Sequence, residues 1–166
     1  MKLVTAVRIL LIILLILNLV MIFSFSNESA LESWRTSKEV AKQIAPITVQ
    51  GYKDKTPTEQ NNIVNGMLHG VRKMAHMTEF GTLCALAVLL LQTWKQPYLK
   101  SVLFAMIFTA VIASLDELNQ FAKHSGRAGK LTDVLIDLLG GAIAAFLVWC
   151  LLKAISFILK RIHKKT

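Results

Sequence analysis

The sequence predicts an all-α polytopic membrane protein, with four transmembrane helices and a polar surface loop between the first and the second. Three observations carry this. Of the 166 residues, 54% are apolar and 17% charged, and mean hydropathy is +0.54; an average soluble domain is roughly 45–50% apolar and about 25% charged. The apolar residues are gathered into long runs rather than short amphipathic stripes. Each run reaches the roughly 20 residues that a helix needs to cross a bilayer. A chain this apolar is not disordered, and with only 8 glycines it is not collagen-like.

The first span is expected at about 3–25, from Leu3 to Phe25, with Asn18 its one strongly polar interior residue. Ser24 and Ser26 stand at a small-x-small spacing that would also suit a cleaved signal peptide, but the length of the apolar stretch favours a retained helix. The second span is expected at 75–94, the third at 99–118 and the fourth at 131–152. Trp94, Tyr98 and Trp149 lie near run ends, where interfacial aromatics belong. Lys95-Gln96-Pro97 is a tight turn, so spans two and three should form an antiparallel hairpin. Cys84 and Cys150 sit inside apolar runs and read as small hydrophobes rather than as a disulfide pair.

The polar stretch 26–74 reads as an extracellular loop lying over the bundle. Within it Asn27 or Ser29 is placed to cap a short helix to about Ile44, after which Pro46, Gly51 and Pro57 should break the chain. The whole of 1–166 then reads as a single membrane domain, closing in a basic cytoplasmic tail, 153–166.

Nineteen Lys and Arg oppose ten Asp and Glu, a formal charge of +9. No basic stripe is interleaved with aromatics, so the reading is cationic loops beside an anionic bilayer and no nucleic-acid partner. With four spans, both termini share a side with Lys95 and Lys100. The basic tail after Lys153 and the charges flanking the tight turn make that side cytoplasmic by the positive-inside rule.

Acidic residues in or beside the spans are the informative feature, since an ionisable group at the centre of a spanning helix costs roughly 2.5–3.5 kcal/mol. Glu79 begins the second span, Asp116 and Glu117 end the third, and Asp133 and Asp137 begin the fourth. Alternating chain direction brings all of these ends to one membrane face, the outer one. Arg72, His76 and Glu79 follow i, i+4, i+7; Asp116 and Gln120 are i, i+4; Asp133, Asp137 and Gly140 are again i, i+4, i+7. Gly140 and Gly141 would allow another helix to approach closely. The loop between spans three and four adds Lys123, His124, Arg127 and Lys130. These residues predict a polar pocket where three helices meet.

The same residues carry a resemblance. Arg72-Lys73-Met74-Ala75-His76-Met77-Thr78-Glu79-Phe80 resembles the R-K-x-x-H-x-x-E-[FY] motif of the VanZ-like family. Asp116-Glu117-Leu118-Asn119-Gln120-Phe121 is similar to its D-E-x-x-Q-x-F segment, and Gly126-Arg127 with Asp133, Asp137, Gly140 and Gly141 to its G-R-x(5)-D-x(3)-D-x(2)-G ending. Ser24-Phe25-Ser26 falls where the family often has an F-S-S-Q-like turn, here without the Gln. The resemblance runs from about Phe23 to Trp149. It implies an envelope protein of the kind that accompanies glycopeptide-resistance operons and reduces teicoplanin sensitivity; it implies no particular reaction.

Two functional readings follow. In the first, the pocket binds a lipid-linked or glycopeptide ligand through Arg72, Lys73, His76, Glu79, Asp116, Glu117, Gln120, Arg127, Asp133 and Asp137, with basic residues meeting phosphate or carboxylate groups. In the second, a membrane enzyme performs acid/base hydrolysis or transfer on a phospholipid or lipid-linked cell-wall precursor, with Glu79 or Asp137 as base, His76 as acid, and Arg72 and Arg127 as electrostatic stabilisers. No resident cofactor is expected. The oxygen-rich donor set suits a divalent cation such as Mg²⁺ better than zinc, for which no ligand spacing is present. The same charges also have a structural reading, as ion pairs that hold the bundle together, or, for Lys73, Lys123 and Lys130, as side chains reaching to lipid headgroups.

Overall fold

The computed structural model describes residues 2–122 and 131–163. Five α-helices follow in order: α1 (Lys2–Ser26), α2 (Ala30–Thr48), α3 (Pro57–Gln92), α4 (Tyr98–Ala122) and α5 (Leu131–His163), with a 3-10 turn at Tyr52–Asp54. No strand occurs among the described residues. The four helices other than α2 are long and apolar enough to cross a membrane, so the all-α, four-span class holds.

α1 is a helix of Leu, Ile and Val that exposes apolar side chains on nearly every side. Its buried residues are Asn18, Ile22 and Ser26. These are spaced by four, so they form one stripe turned towards the bundle. At the opposite end Arg8 donates from Nε to Thr93 Oγ1 and from Nη2 to the Thr93 carbonyl, both at 3.0 Å. Its guanidinium lies over the Trp94 ring, 4.4 Å from the centroid. The N-terminal end of α1 is thereby tied to the C-terminal end of α3.

The stretch expected as a loop, 26–74, is largely helical. Ser29, rather than Asn27, caps α2 in a reciprocal box: its Oγ accepts from the Glu32 N–H, and Glu32 Oε2 accepts from the Ser29 N–H at 2.8 Å. These bonds hold the exposed Glu32 carboxyl below its ordinary value, the Ser29 backbone donor contributing most. α2 runs through Pro46 to Thr48, beyond the expected stop near Ile44. A proline in the last turn removes a single intrahelical bond, and the carbonyls beyond it have no helical partner in any case. Ser33, Ser37, Ala41 and Ala45 are its buried residues. This stripe of small side chains lets α2 lie against Val64, Met67, Leu68 and Val71 of α3.

Pro57 does not end a helix; it opens one. It occupies the first turn of α3, where its missing N–H costs nothing, behind a second capping box made by Thr56 and Glu59. α3 then continues for 36 residues, about 54 Å at 1.5 Å per residue. A hydrocarbon core is about 30 Å thick. α3 is therefore longer than one crossing requires, and α2 packs beside its N-terminal turns. α5 is similarly long, 33 residues, and carries residues 153–163 of the expected basic tail in helical form.

Gln92 anchors the tight α3–α4 turn by donating from Nε2 to the Gln96 carbonyl and to Ser101 Oγ. The bundle core comprises Cys84, Val88, Ala105, Ala145 and Val148 at one level and Ile22, Phe80, Leu83, Ile112 and Ala113 at another. The Tyr98 hydroxyl donates to the Ala145 carbonyl, joining α4 to α5. α3 and α5 share the most extensive contact, and glycine makes it possible. A Cβ on Gly140 would lie 2.3 Å from the Met77 carbonyl oxygen, and one on Gly81 would lie 3.1 Å from the Gly140 oxygen. Gly140→Ala should therefore force α3 and α5 apart and cost about 1–3 kcal/mol, read as a lower thermal midpoint in detergent. Gly141→Ala meets only side chains, at 3.3 Å or more, and should change little. Equal midpoints for the two variants would contradict this crossing.

Candidate functional site

The α3–α5 crossing sets the site directly above it. His76 precedes Met77, and Asp137 stands one helical turn before Gly140, so the backbone contact brings these two side chains face to face. His76 Nδ1 lies 3.7 Å from Asp137 Oδ1, with the Asp137 side chain wholly buried. The His76 ring lies parallel to that of Phe80, with centroids 6.3 Å apart, which fixes its plane. One turn further out, Lys73 Nζ meets Asp133 Oδ1 at 3.4 Å, both side chains about one-third exposed. That pair is worth at most about 1 kcal/mol.

α4 supplies the third wall. Asp116, Glu117 and Gln120 are all buried, and Gln120 Nε2 donates to Asp116 Oδ2 at 2.8 Å, the i, i+4 pair expected from the spacing. Asp137 is close enough to Asp116, Glu117, Asp133 and Glu79 to feel their charge, and Glu79 to feel Asp116. The acidic residues from separate spans thus converge at one end of the bundle.

Arg72, Lys73, His76, Gln120, Asp133 and Asp137 enclose a niche of about 20 Å³, room for about one water or one ligand oxygen. Arg72 has no ion-pair or hydrogen-bond partner among the described residues. Neither carboxyl oxygen of Asp137 is hydrogen-bonded among them. Glu79 does not line this niche; it lies at the edge of a separate groove between α1, α2 and α3. Arg127, with Lys123, His124 and Lys130, lies outside the described residues. No three His, Cys, Asp or Glu side chains among the described residues are grouped so as to hold a metal ion.

α1 contributes to the site in a way that motif reading missed. Asn18 Nδ2 lies 3.4 Å from the Glu79 carbonyl oxygen, and Ser26 Oγ lies 3.4 Å from that of Asp116. Asn119 donates from Nδ2 to Ser26 Oγ at 2.8 Å and to Asn27 Oδ1 at 3.0 Å. The signal for this was the lone polar residue of the first span, Asn18, with Ser26 eight positions on.

A carboxylate buried without hydrogen bonds opposes folding. Asp137→Asn removes the charge at little change in volume. It should leave the thermal midpoint in detergent unchanged or raise it, as at sites where function is maintained against stability. A fall of more than about 5 °C, corresponding to roughly 1–2 kcal/mol at this chain length, would instead make Asp137 a structural member of the bundle.

The three sequence blocks that build this site lie within one family match: the family model described as VanZ/LLP1 covers residues 11–153. No curated protein and no solved structure matches the chain. The match takes in all four candidate spans in whole or in large part, together with the niche, and the chain belongs to the VanZ/LLP1 family of membrane proteins.

Proposed function

We propose that this VanZ/LLP1-family membrane protein binds an anionic lipid-linked or glycopeptide ligand at the outward-facing end of its helix bundle, and so contributes to teicoplanin-type resistance. The supporting observation is the niche itself. Two cationic side chains of α3, Arg72 and Lys73, stand at a cavity of about 20 Å³, with His76 held against a fully buried Asp137 at its floor. A cavity of that size takes a single phosphate or carboxylate oxygen, not a whole glycopeptide, so the bulk of the ligand rests outside it. Arg72 supplies a planar set of donors matched to such oxygens. His76 offers a ring N–H beside them as a further donor.

A second reading has its own observation. A His–Asp pair facing a one-water cavity is an arrangement for general acid–base catalysis. In that case His76 takes a proton from the water as its oxygen bonds to phosphorus, and returns that proton to the leaving oxygen as the old P–O bond of a phospholipid or lipid-linked precursor breaks; Asp137 faces the ring, and Arg72 steadies the charge developing on a phosphoryl oxygen.

The outward orientation is supported by charge. Arg8, Lys95, Lys100, Lys153, Lys160 and Arg161 collect at the end opposite the niche, which under the positive-inside rule supports a cytoplasmic side for both termini.

Arg72→Gln should weaken binding of a polyprenyl-diphosphate lipid to the purified protein about tenfold, the equivalent of one charge-assisted hydrogen bond, and should restore teicoplanin sensitivity in cells expressing the chain. Unchanged affinity would sink the proposal. Catalysis is separated from binding by the envelope lipids of the same cells. An altered precursor or headgroup ratio that Asp137→Asn abolishes supports the enzyme, whereas an unchanged profile supports the binder. Topology is read independently. With Cys84 and Cys150 replaced by Ala, a cysteine at Lys53 should react with an impermeant maleimide on intact cells, and one at Lys160 only after permeabilisation. The reverse pattern would turn the site to the cytoplasm.

A further inference from the structure

The geometry points to a second site, a lateral groove along α3 that holds one lipid by its acyl chain and by a primary-ammonium headgroup placed on Glu79. The groove has two limbs. The lower one, about 460 Å³, lies between α3 and α5 and is lined by Gly81, Ala85, Ile143, Ala144, Leu147 and Leu151. The upper one, about 670 Å³, lies between α1, α2 and α3, with Thr36, Ser37 and Glu79 among its lining residues. Met74 and Thr78 line both limbs, so the two adjoin along these side chains. Both volumes fall in the ordinary range of ligand sites.

Both limbs are walled mainly by apolar side chains, and the upper one carries a carboxylate, Glu79. The lower limb follows the spanning part of α3 and offers hydrocarbon walls to a chain. Gly81 and Gly140 keep its floor low, since neither presents a side chain at the crossing. The upper limb follows the more N-terminal turns of α3, from Gly66 to Glu79. Glu79 stands near the junction, and no hydrogen bond or ion pair reaches its carboxyl among the described residues. A tail below and a head above is the order in which an outer-leaflet lipid would enter from the side.

Charge selects the headgroup. Among the described residues no Lys or Arg lines either limb. Among them Glu79 is the only formally charged lining residue, and Asp116 and Glu28 add to its negative field. The hydroxyls of Thr78 and Thr82 donate to carbonyls of their own helix, at Met74 and Thr78, which leaves them as acceptors towards the groove. A carboxylate with a threonine hydroxyl acceptor beside it suits a primary ammonium, which carries three donors and no acceptor. A headgroup with net negative charge would meet Glu79 with nothing to offset it. The groove and the niche therefore select opposite charges from two sides of α3.

The test is native mass spectrometry of the full chain, purified in detergent and presented with equimolar phosphatidylethanolamine and phosphatidylglycerol of identical acyl chains. Wild type should retain one phosphatidylethanolamine in preference to phosphatidylglycerol by about tenfold. Glu79→Gln should abolish the preference. Thr82→Trp, at an exposed position on the lower limb, should reduce retention of both lipids. Equal retention by wild type would overturn the proposal, as would a preference that survives Glu79→Gln, or a spectrum in which a second copy of the chain takes the place of lipid. The wild-type arm needs no substitution, so it holds even where a variant fails to fold. Arg72 and Asp137 line neither limb, so this result stands or falls apart from the niche.

Discussion

Backbone contact between α3 and α5 at Gly140 organises the molecule. Lipid offers as good an apolar environment as another helix, so association within a bilayer depends on close packing and on polar groups that find one another. Here the carbonyl of Met77 occupies the space that a side chain at residue 140 would need. Two residues that carry chemistry are fixed by that contact, because each is adjacent to it on its own helix. His76 is the neighbour of Met77, and Asp137 is one turn from Gly140. The distance between them is therefore a property of the crossing rather than of two flexible side chains, and functional groups held by rigid elements keep their geometry best. The Lys73–Asp133 pair one turn out shares the same helices but is partly open to water, and it adds little to the crossing.

The acidic end is built against the preferences of the rest of the chain. Most of α1, and the outer faces of α4 and α5, expose apolar side chains, as lipid-facing surfaces require. Asp116, Glu117, Gln120 and Asp137 are buried instead, and short polar bridges accommodate part of this cluster. Gln120 holds one oxygen of Asp116. Ser26 approaches the Asp116 carbonyl from α1 and accepts from Asn119. α1 is thus more than a membrane anchor, since its one polar stripe closes the fourth side of the acidic cluster.

How much of this was legible follows from where the signals are strong. The four spans were, because twenty apolar residues in a row suit the interior of a bilayer and little else. The convergence of Glu79, Asp116 and Asp137 was also legible, since alternating chain direction is forced once the spans are known. The helices of 26–74 were legible only at their caps. Ser29 and Thr56 each stand three residues before a glutamate, but Asn61-Asn62-Ile63-Val64-Asn65-Gly66 hides the periodicity that α3 follows there. Pro46 and Pro57 were read as breaks because proline is costly inside a helix, while the last and first turns are where that cost disappears. The pairing of His76 across to α5 was not legible either, because sequence spacing reports neighbours on one helix and says nothing of the angle at which another helix crosses.

That crossing also accounts for the way α3 serves two chemically opposite surfaces. Arg72, Lys73 and His76 project towards α4 and α5, where the buried carboxylates supply the field that draws cations inward. Met74, Thr78 and Gly81 project to the other side, towards open grooves with no basic residue in their walls among the described residues. Glu79 sits at the boundary, within the field of Asp116 yet lining the groove. A single helix with period 3.6 separates these sets by roughly half a turn. Lys73 and His76 are therefore engaged locally by Asp133 and Asp137 of α5, while Glu79 supplies the groove with its acceptor. The net charge of +9 conceals this division, because much of it lies at the far end of the bundle and in the segments flanking the site. The selectivity of each surface is set by the few charges within reach of it, since beyond a Debye length, about 8 Å in physiological salt, exposed charges are screened.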